Sequence, residues 1–348
     1  MGGEASGARP KVLLLGEVEL ATSALAELEQ VAEVLTPQSR DRASFMAECR
    51  AGGRLDGVVA AYRTFDSARV TGPVDAELAA SLPPSLRFVC HNGAGYDQVD
   101  VAACTARGVR VSNTPGAVDD ATADMGIFLM LGAVRNVAGG MAALRRGEWR
   151  GLSGAPHPAL GRDPRGKVLG VLGMGGIGRD MARKAAAAFG MRVRYYNRTR
   201  LAPEVEAECG GAELVGFDEL LAGSDVLSLN LPLNPKTRHI IGAPEFAKMK
   251  RGIVVVNTAR GAVMDEAALV AALEDGTVAA AGLDVYEKEP EVHPGLLASD
   301  RCVLVPHMGT HTVETQAAME ALALANVVAA VRTGRLLTNV PEQSGLDF

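Results

Sequence analysis

Residues 167–200 read KVLGVLGMGGIGRDMARKAAAAFGMRVRYYNRTR, and this stretch decides the fold. It opens on Lys167–Leu172, an apolar run with the length and composition of a strand buried on both faces. Gly173-Met174-Gly175-Gly176-Ile177-Gly178 follows directly, then an alanine-rich helical stretch from Arg179 to Phe189 and a second strand, Arg192–Tyr196. A lone GxGxxG is as often a bare turn as a binding loop, but strand, turn, helix and second strand agree here. Gly173 permits the tight turn, Gly175 lets a pyrophosphate approach the backbone, and Gly178 lets helix and strand pack closely. The phosphates would lie over the helix amino terminus, where unpaired N–H groups favour negative charge. A dinucleotide site is the expectation.

Outward from this unit the alternation continues. Further strands fit Asp225–Leu229, Ile253–Val256, Val278–Leu283 and Cys302–Val305, with helical stretches between most of them. Upstream, Lys11–Gly16, Gly57–Ala61 and Leu86–Cys90 look like strands of a smaller α/β unit, with a helix at Ala21–Glu29. One long helix is expected from about Asp119 to Leu144, then a Gly-, Pro- and Arg-rich loop from Gly147 to Gly166. Regular strand–helix alternation with short connections predicts an α/β protein with doubly wound parallel sheets. The last helical stretch, Thr312–Arg332, is long enough to leave the second domain and return to the first.

A chain of 348 residues is too long for one ordinary core and suits two domains. With 48% hydrophobic and 22% charged residues it has the balance of a soluble globular protein. A net charge of −6 gives no general attraction for nucleic acid or an anionic membrane. Cys49, Cys90, Cys104, Cys209 and Cys302 are scattered, without metal-ligand spacing, which suggests thiols in a reducing compartment and no metal site. Met1–Pro10 lacks a signal-peptide core and reads as a frayed tail, and no apolar run has transmembrane length. A cytoplasmic protein follows by default.

The strand Arg192–Tyr196 leads into Asn197-Arg198-Thr199-Arg200. A site for NAD usually places an acid here, on the adenosine ribose. Asn197 carries no charge to repel a 2′-phosphate, while Arg198, Thr199 and Arg200 can donate to one. These arginines could also be a solvated loop. Missing acid and present arginines together predict NADPH as the preferred reductant, with NADH usable.

Three polar residues fall at the carboxyl ends of expected strands, where open α/β sheets bind ligands: Arg260, Glu289 and His307. Singly, each has a bland explanation: a flanking surface charge, a solvated loop acid, a structural histidine after proline. Together they match one chemistry. Reducing a 2-oxo acid needs a cation for carboxylate and carbonyl, which an arginine fork supplies. It needs a proton donor working near neutral pH, which suits histidine. It needs a carboxylate to keep that donor protonated and oriented.

These residues resemble the D-isomer-specific 2-hydroxyacid dehydrogenase family, and glyoxylate/hydroxypyruvate reductases most. The resemblance runs from His91-Asn92-Gly93-Ala94-Gly95-Tyr96-Asp97 through Thr114-Pro115-Gly116, Gly173–Gly178 and Leu231-Pro232 to Pro306-His307-Met308-Gly309. MKRGIVVVNTARGAVMD, residues 249–265, is especially specific. It implies catalytic roles for Arg260, Glu289 and His307; Glu287 is not the match, since the catalytic glutamate directly precedes Pro290. It also implies a partner for the nicotinamide carboxamide in Asp284, and Thr122 beside the ring. Further cofactor contacts are implied at Leu231, Pro232 and Thr237, and at Thr258, Ala259 and Gly309. Gly93, Ala94 and Gly95 are implied to hold the substrate carboxylate through backbone N–H groups.

The same resemblance implies a flavodoxin-like substrate domain, residues 1–117 with 318–348, and a Rossmann cofactor domain, 118–317, with a cleft between them. It implies a homodimer, using the region around Asp119–Gly151. For the substrate side chain, Tyr62 and Arg63, in Tyr62-Arg63-Thr64-Phe65 after an expected strand, are the candidate wall. Trp149, the only tryptophan, is a candidate to close the pocket from a partner. The expected substrate is a small 2-oxo acid, glyoxylate or hydroxypyruvate. Branched-chain 2-oxo acids remain an alternative, as does a non-catalytic nucleotide-sensing scaffold like the C-terminal-binding corepressors.

Overall fold

The computed structural model describes residues 9–149 and 159–346; the expected tail before residue 9 and the part of the loop at 150–158 lie outside them. The chain divides into two compact units, Met1–Val118 with Thr312–Phe348, and Asp119–His311.

The first unit is built on five parallel strands: β1 Lys11–Leu15, β2 Glu33–Leu35, β3 Val58–Thr64, β4 Phe88–Asn92 and β5 Arg110–Ser112. Their order, β2-β1-β3-β4-β5, is the flavodoxin-like winding. The closing helix, Val313–Thr333, begins at a Thr312 cap and ends at Gly334 in the left-handed region. Its Ala323, Leu324 and Val327 are buried with Val12, Ala60, Tyr62 and Cys90. Glu320 on this helix is also buried and accepts the backbone N–H groups of Leu20 and Ala21, at 2.9 and 2.8 Å. It thereby supplies the cap that the helix Thr22–Val31 lacks from its own residues. The compact units divide at 311/312, just before this helix begins, not at the expected 317.

The second unit carries seven parallel strands: β6 Val168–Leu172, β7 Arg192–Tyr196, β8 Glu213–Leu214, β9 Val226–Leu229, β10 Ile253–Asn257, β11 Val278–Leu283 and β12 Cys302–Leu304. The order is β12-β11-β10-β9-β6-β7-β8, with the winding direction reversing between β6 and β9. Every residue of β6, β9 and β10 is buried, because separate apolar clusters cover the two faces of the sheet. Each buried valine of β10 contributes about 2 kcal/mol through lost water contact.

The single helix expected from Asp119 to Leu144 is two helices, Asp119–Val134 and Val137–Arg145, bent by 67°. Asn136 breaks it by adopting φ 51°, with its amide donating to Ala159 O at 2.7 Å. Arg162 N–H takes the Val134 carbonyl that a continuing helix would have used. Asparagine tolerates this left-handed conformation better than most residues.

Candidate active site

The glycine loop leaves β6 through Gly173, whose φ of 94° excludes most side chains. A Cβ at Gly173 would also lie 2.7 Å from Asn230 O, and one at Gly178 would overlap the Gly173 carbonyl. At Gly175 a Cβ would meet nothing, so the backbone there is open to a ligand. The helix Gly176–Phe189 starts at Gly175 without a side-chain cap. Gly176 makes room for a neighbour instead, since a Cβ there would overlap the Asp119 carboxylate. Burial, with the charge of Asp180, raises Asp119 above the usual carboxylate range against the pull of Arg179. Asp119 carries no sequence motif that would place it beside this loop; only the packing of two helices brings it there.

At the end of β7, Asn197 Oδ1 accepts the Met174 N–H at 2.8 Å and ties the end of that strand to the glycine loop. Arg198 and Thr199 are exposed and make no hydrogen bond or ion pair among the described residues. Arg200 differs. Its Nε and Nη2 grip both oxygens of Glu206 at 2.9 Å, and the Tyr195 hydroxyl donates to the same carboxylate at 2.6 Å. Arg200 is therefore committed to its own unit, and the expected donors to a 2′-phosphate reduce to Arg198 and Thr199.

Buried Asn257, the last residue of β10, shapes the turn into Arg260. Its Oδ1 accepts Ala259 N–H and its Nδ2 donates to Arg260 O, both at 3.0 Å. Gly261 follows, where any Cβ would overlap the backbone of Tyr286 and Glu287, so β10's exit packs directly on the loop carrying Glu289. Tyr286 ties that loop down at both ends. Its N–H donates to Glu289 Oε1 and its hydroxyl to Val305 O, each at 3.0 Å. Buried Glu266 accepts the Glu287 N–H at 2.7 Å.

His307, beyond β12, adopts φ 55° and donates its N–H to Asp284 O at 2.8 Å. The Asp284 side chain accepts Met308 N–H on one oxygen and Gly309 N–H on the other, the latter at 2.7 Å. Burial raises Asp284, and these two hydrogen bonds act against it. His307 Nδ1 lies 2.8 Å from Glu289 Oε2. Burial would raise Glu289, but the bond and charge of His307, the Tyr286 N–H and the charge of Arg260 outweigh it and hold Glu289 below its ordinary range. An ionised Glu289 can only accept, so Nδ1 carries hydrogen and Nε2 is left to exchange a proton.

Around this dyad, Thr122 is buried close to Gly309, and Thr258 is buried at the end of β10, with half-buried Ala259 next to it. Leu231 and Pro232 follow β9, and the Thr237 hydroxyl donates to Pro232 O at 2.6 Å, closing that turn. Asn230 Oδ1 is buried there without a partner. The unpartnered oxygen, open Gly175 and uncapped helix start fit a bound dinucleotide.

In the first unit, Gly93, Ala94 and Gly95 follow β4. Tyr62 and Arg63 do not form a loop wall as expected. Strand β3 continues to Thr64, so both lie in the middle strand and are 0% and 1% exposed. Phe65, beyond the strand, is exposed. Trp149 is exposed at the edge of the described residues.

A sequence profile for the NAD binding domain of the D-isomer specific 2-hydroxyacid dehydrogenases matches residues 127–309. The chain is 55% identical to 4-methyl-2-oxopentanoate reductase A of Aspergillus oryzae, over 97% of this chain and 99% of that protein. It resembles the crystal structure of a glyoxylate reductase from Paecilomyes thermophila with a TM-score of 0.91 at 52% identity, covering 96% of this chain and 99% of the other. An NADPH-dependent glyoxylate/hydroxypyruvate reductase from Sinorhizobium meliloti, solved with NADP and malonate, gives a TM-score of 0.81 at 31% identity, over 96% and 98% of the two chains. The chain belongs to the D-isomer specific 2-hydroxyacid dehydrogenase family and is an oxidoreductase built around a nicotinamide dinucleotide.

Proposed function

We propose that the protein reduces a small 2-oxo acid, glyoxylate or hydroxypyruvate, to the D-2-hydroxy acid, with NADPH preferred over NADH. The observation that carries this reading is the 2.8 Å contact of His307 with an ionised Glu289, on the loop against which Arg260's turn packs. The dinucleotide, when bound, supplies hydride. Arg260 holds the carboxylate and polarises the 2-oxo carbonyl, and His307 Nε2 gives its proton to the carbonyl oxygen as hydride reaches the carbon. Glu289 keeps the imidazole oriented and stabilises its charge. The backbone N–H groups of Ala94 and Gly95 also take the substrate carboxylate. The NADPH preference is supported by exposed Arg198 and Thr199 and by the absence of an acid at Asn197. An apolar stripe left exposed on one helix supports a homodimer: Val137, Met141 and Leu144. Five buried free thiols support a reducing compartment, the cytoplasm.

A second reading, reduction of a branched 2-oxo acid, is favoured by the identity to the Aspergillus oryzae enzyme. The test is NADPH oxidation, followed by absorbance, with glyoxylate, hydroxypyruvate and 4-methyl-2-oxopentanoate side by side, then with NADH. Turnover on the two small acids supports the first reading and turnover confined to the branched acid the second. Silence on all three, with NADPH bound, favours a scaffold. His307→Ala should lower kcat about 10²–10⁴-fold, the range of general acid catalysis.

A further inference from the structure

The loop after β4 is anchored carbonyl by carbonyl. Gly93 O accepts Thr114 N–H at 3.0 Å, Ala94 O accepts Asn113 Nδ2 at 2.7 Å, and Gly95 O contacts His91 Nε2 at 3.0 Å. In a planar trans peptide the N–H points opposite to the carbonyl. Each anchor thus turns the next N–H away from it: those of Ala94, Gly95 and Tyr96. Among the described residues these three donors have no acceptor. Successive free backbone donors of this kind form an anion-binding nest.

Behind the loop stands a buried cation. Arg63 is 1% exposed, and its hydrogen-bond partners are neutral: His91 Nδ1 at 3.1 Å and Gln98 Oε1 at 2.8 Å. Its Nε is buried without a partner. Burial pushes the guanidinium down to about 10, against the attraction of Asp97, which still leaves it charged near neutral pH. A guanidinium can only donate, so His91 Nδ1 must accept, and the ring hydrogen must sit on Nε2 and be donated to Gly95 O. Arg63 therefore sets the tautomer that anchors the loop. Gly93 belongs to the same arrangement, because a Cβ there would lie 2.7 Å from His91 Nε2.

We infer that Arg63 and His91 form a buried relay that presets the Ala94–Tyr96 nest and so controls affinity for the carboxylate of the 2-oxo acid. Arg63 is a positioning residue that acts through His91 and through its charge, without touching substrate. The inference rests on the proposal that this loop takes the substrate carboxylate.

The test compares wild type with Arg63→Met, His91→Leu and His91→Gln. A glutamine amide can accept from Arg63 with its oxygen and donate to Gly95 with its nitrogen, so His91→Gln should keep the relay. Calorimetry measures binding of oxamate, an unreactive 2-oxo acid mimic, to the NADPH-bound enzyme. Glyoxylate KM and kcat, NADPH affinity and Tm are measured alongside. Arg63→Met and His91→Leu should raise oxamate Kd and glyoxylate KM by about tenfold or more, with kcat within about threefold and NADPH affinity unchanged. His91→Gln should stay within about threefold of wild type. If Arg63→Met does not fold, the two His91 variants decide. Unchanged oxamate binding in the broken variants, or equal losses in His91→Gln and His91→Leu, overturns the relay while the reductase reading stands. A wild type that binds NADPH but neither oxamate nor glyoxylate overturns both.

Discussion

His307 and Glu289 meet at 2.8 Å although 18 residues separate them, because each leaves the carboxyl end of a neighbouring strand. The contact is held from both sides. Tyr286 bonds Glu289 through its N–H and the chain just before His307 through its hydroxyl, while Asp284 fixes the backbone of 307–309.

The dyad gives stability a pH signature. Glu289 is held below its ordinary value of 4.5, so its contribution is fully present above that value and is lost as pH falls through the lower folded one. Replacing it with glutamine removes the contribution at neutral pH. The Tm gap between wild type and Glu289→Gln should be widest near pH 7 and shrink as pH falls below 4.5. A gap that widens on acidification would contradict this assignment.

Gly261→Ala is expected to disturb catalysis without touching substrate. The added methyl has nowhere to go except into the Tyr286–Glu287 backbone, which cannot swing aside as a flexible side chain would. The loop carrying Glu289 must shift, at a stability cost of about 3 kcal/mol, the upper part of the overpacking range. Denaturant melts should show that loss, and kcat should fall more than KM rises. A variant with wild-type stability and kcat would show that the two loops are not coupled.

Arg198 and Arg200 should behave oppositely. Arg198→Ala should reduce the ratio of kcat/KM for NADPH over NADH by about tenfold or more, the loss expected for a charge-assisted bond to phosphate. Arg200→Ala should leave that ratio nearly unchanged and lower Tm slightly, since its fork is spent on Glu206. The prediction fails if the two variants change cofactor preference equally.

The exposed stripe of Val137, Met141 and Leu144 should be the adhesive part of a homodimer. Placing charges there, as in the double variant Met141→Glu with Leu144→Lys, should shift sedimentation towards a monomer while leaving the separate units folded. An unchanged sedimentation coefficient would place any dimer contact elsewhere.

Much of the site was legible because its signals are local. A strand, a GxGxxG and a helix within 23 residues, 167–189, state a dinucleotide loop almost without tertiary information, since backbone sterics at Gly173 and Gly178 are short-range. Arg260 and His307 could be picked out because each stands just beyond an apolar run that had to be a strand, whereas Glu289 is told from Glu287 only through the family resemblance, in which the catalytic glutamate directly precedes the proline. Where structure and expectation part, the origin is common. The strand ending at Ala61 on apolar pattern alone in fact runs to Thr64, because in the middle of a sheet even Arg63 can be kept buried by partners from β4 and the following loop. The break at Asn136 depends on contacts with residues 159–162, which helical periodicity does not sense.

The sequence by itself determined the two α/β units, the glycine loop and the chemistry available at the strand ends, since these follow from patterns a few residues long. Only the tertiary structure decided which polar groups remain available. Arg198 and Arg200 look alike as letters and both are exposed, yet among the described residues one makes no hydrogen bond and the other is paired with Glu206. Arg63 reads in the sequence as part of a wall for the substrate side chain, yet it is a cation sealed behind the Gly93–Gly95 loop. The physical reason is the same in each case. Hydrogen-bond partnership and desolvation depend on distances between segments far apart in the chain, and these exist only once the sheets have assembled.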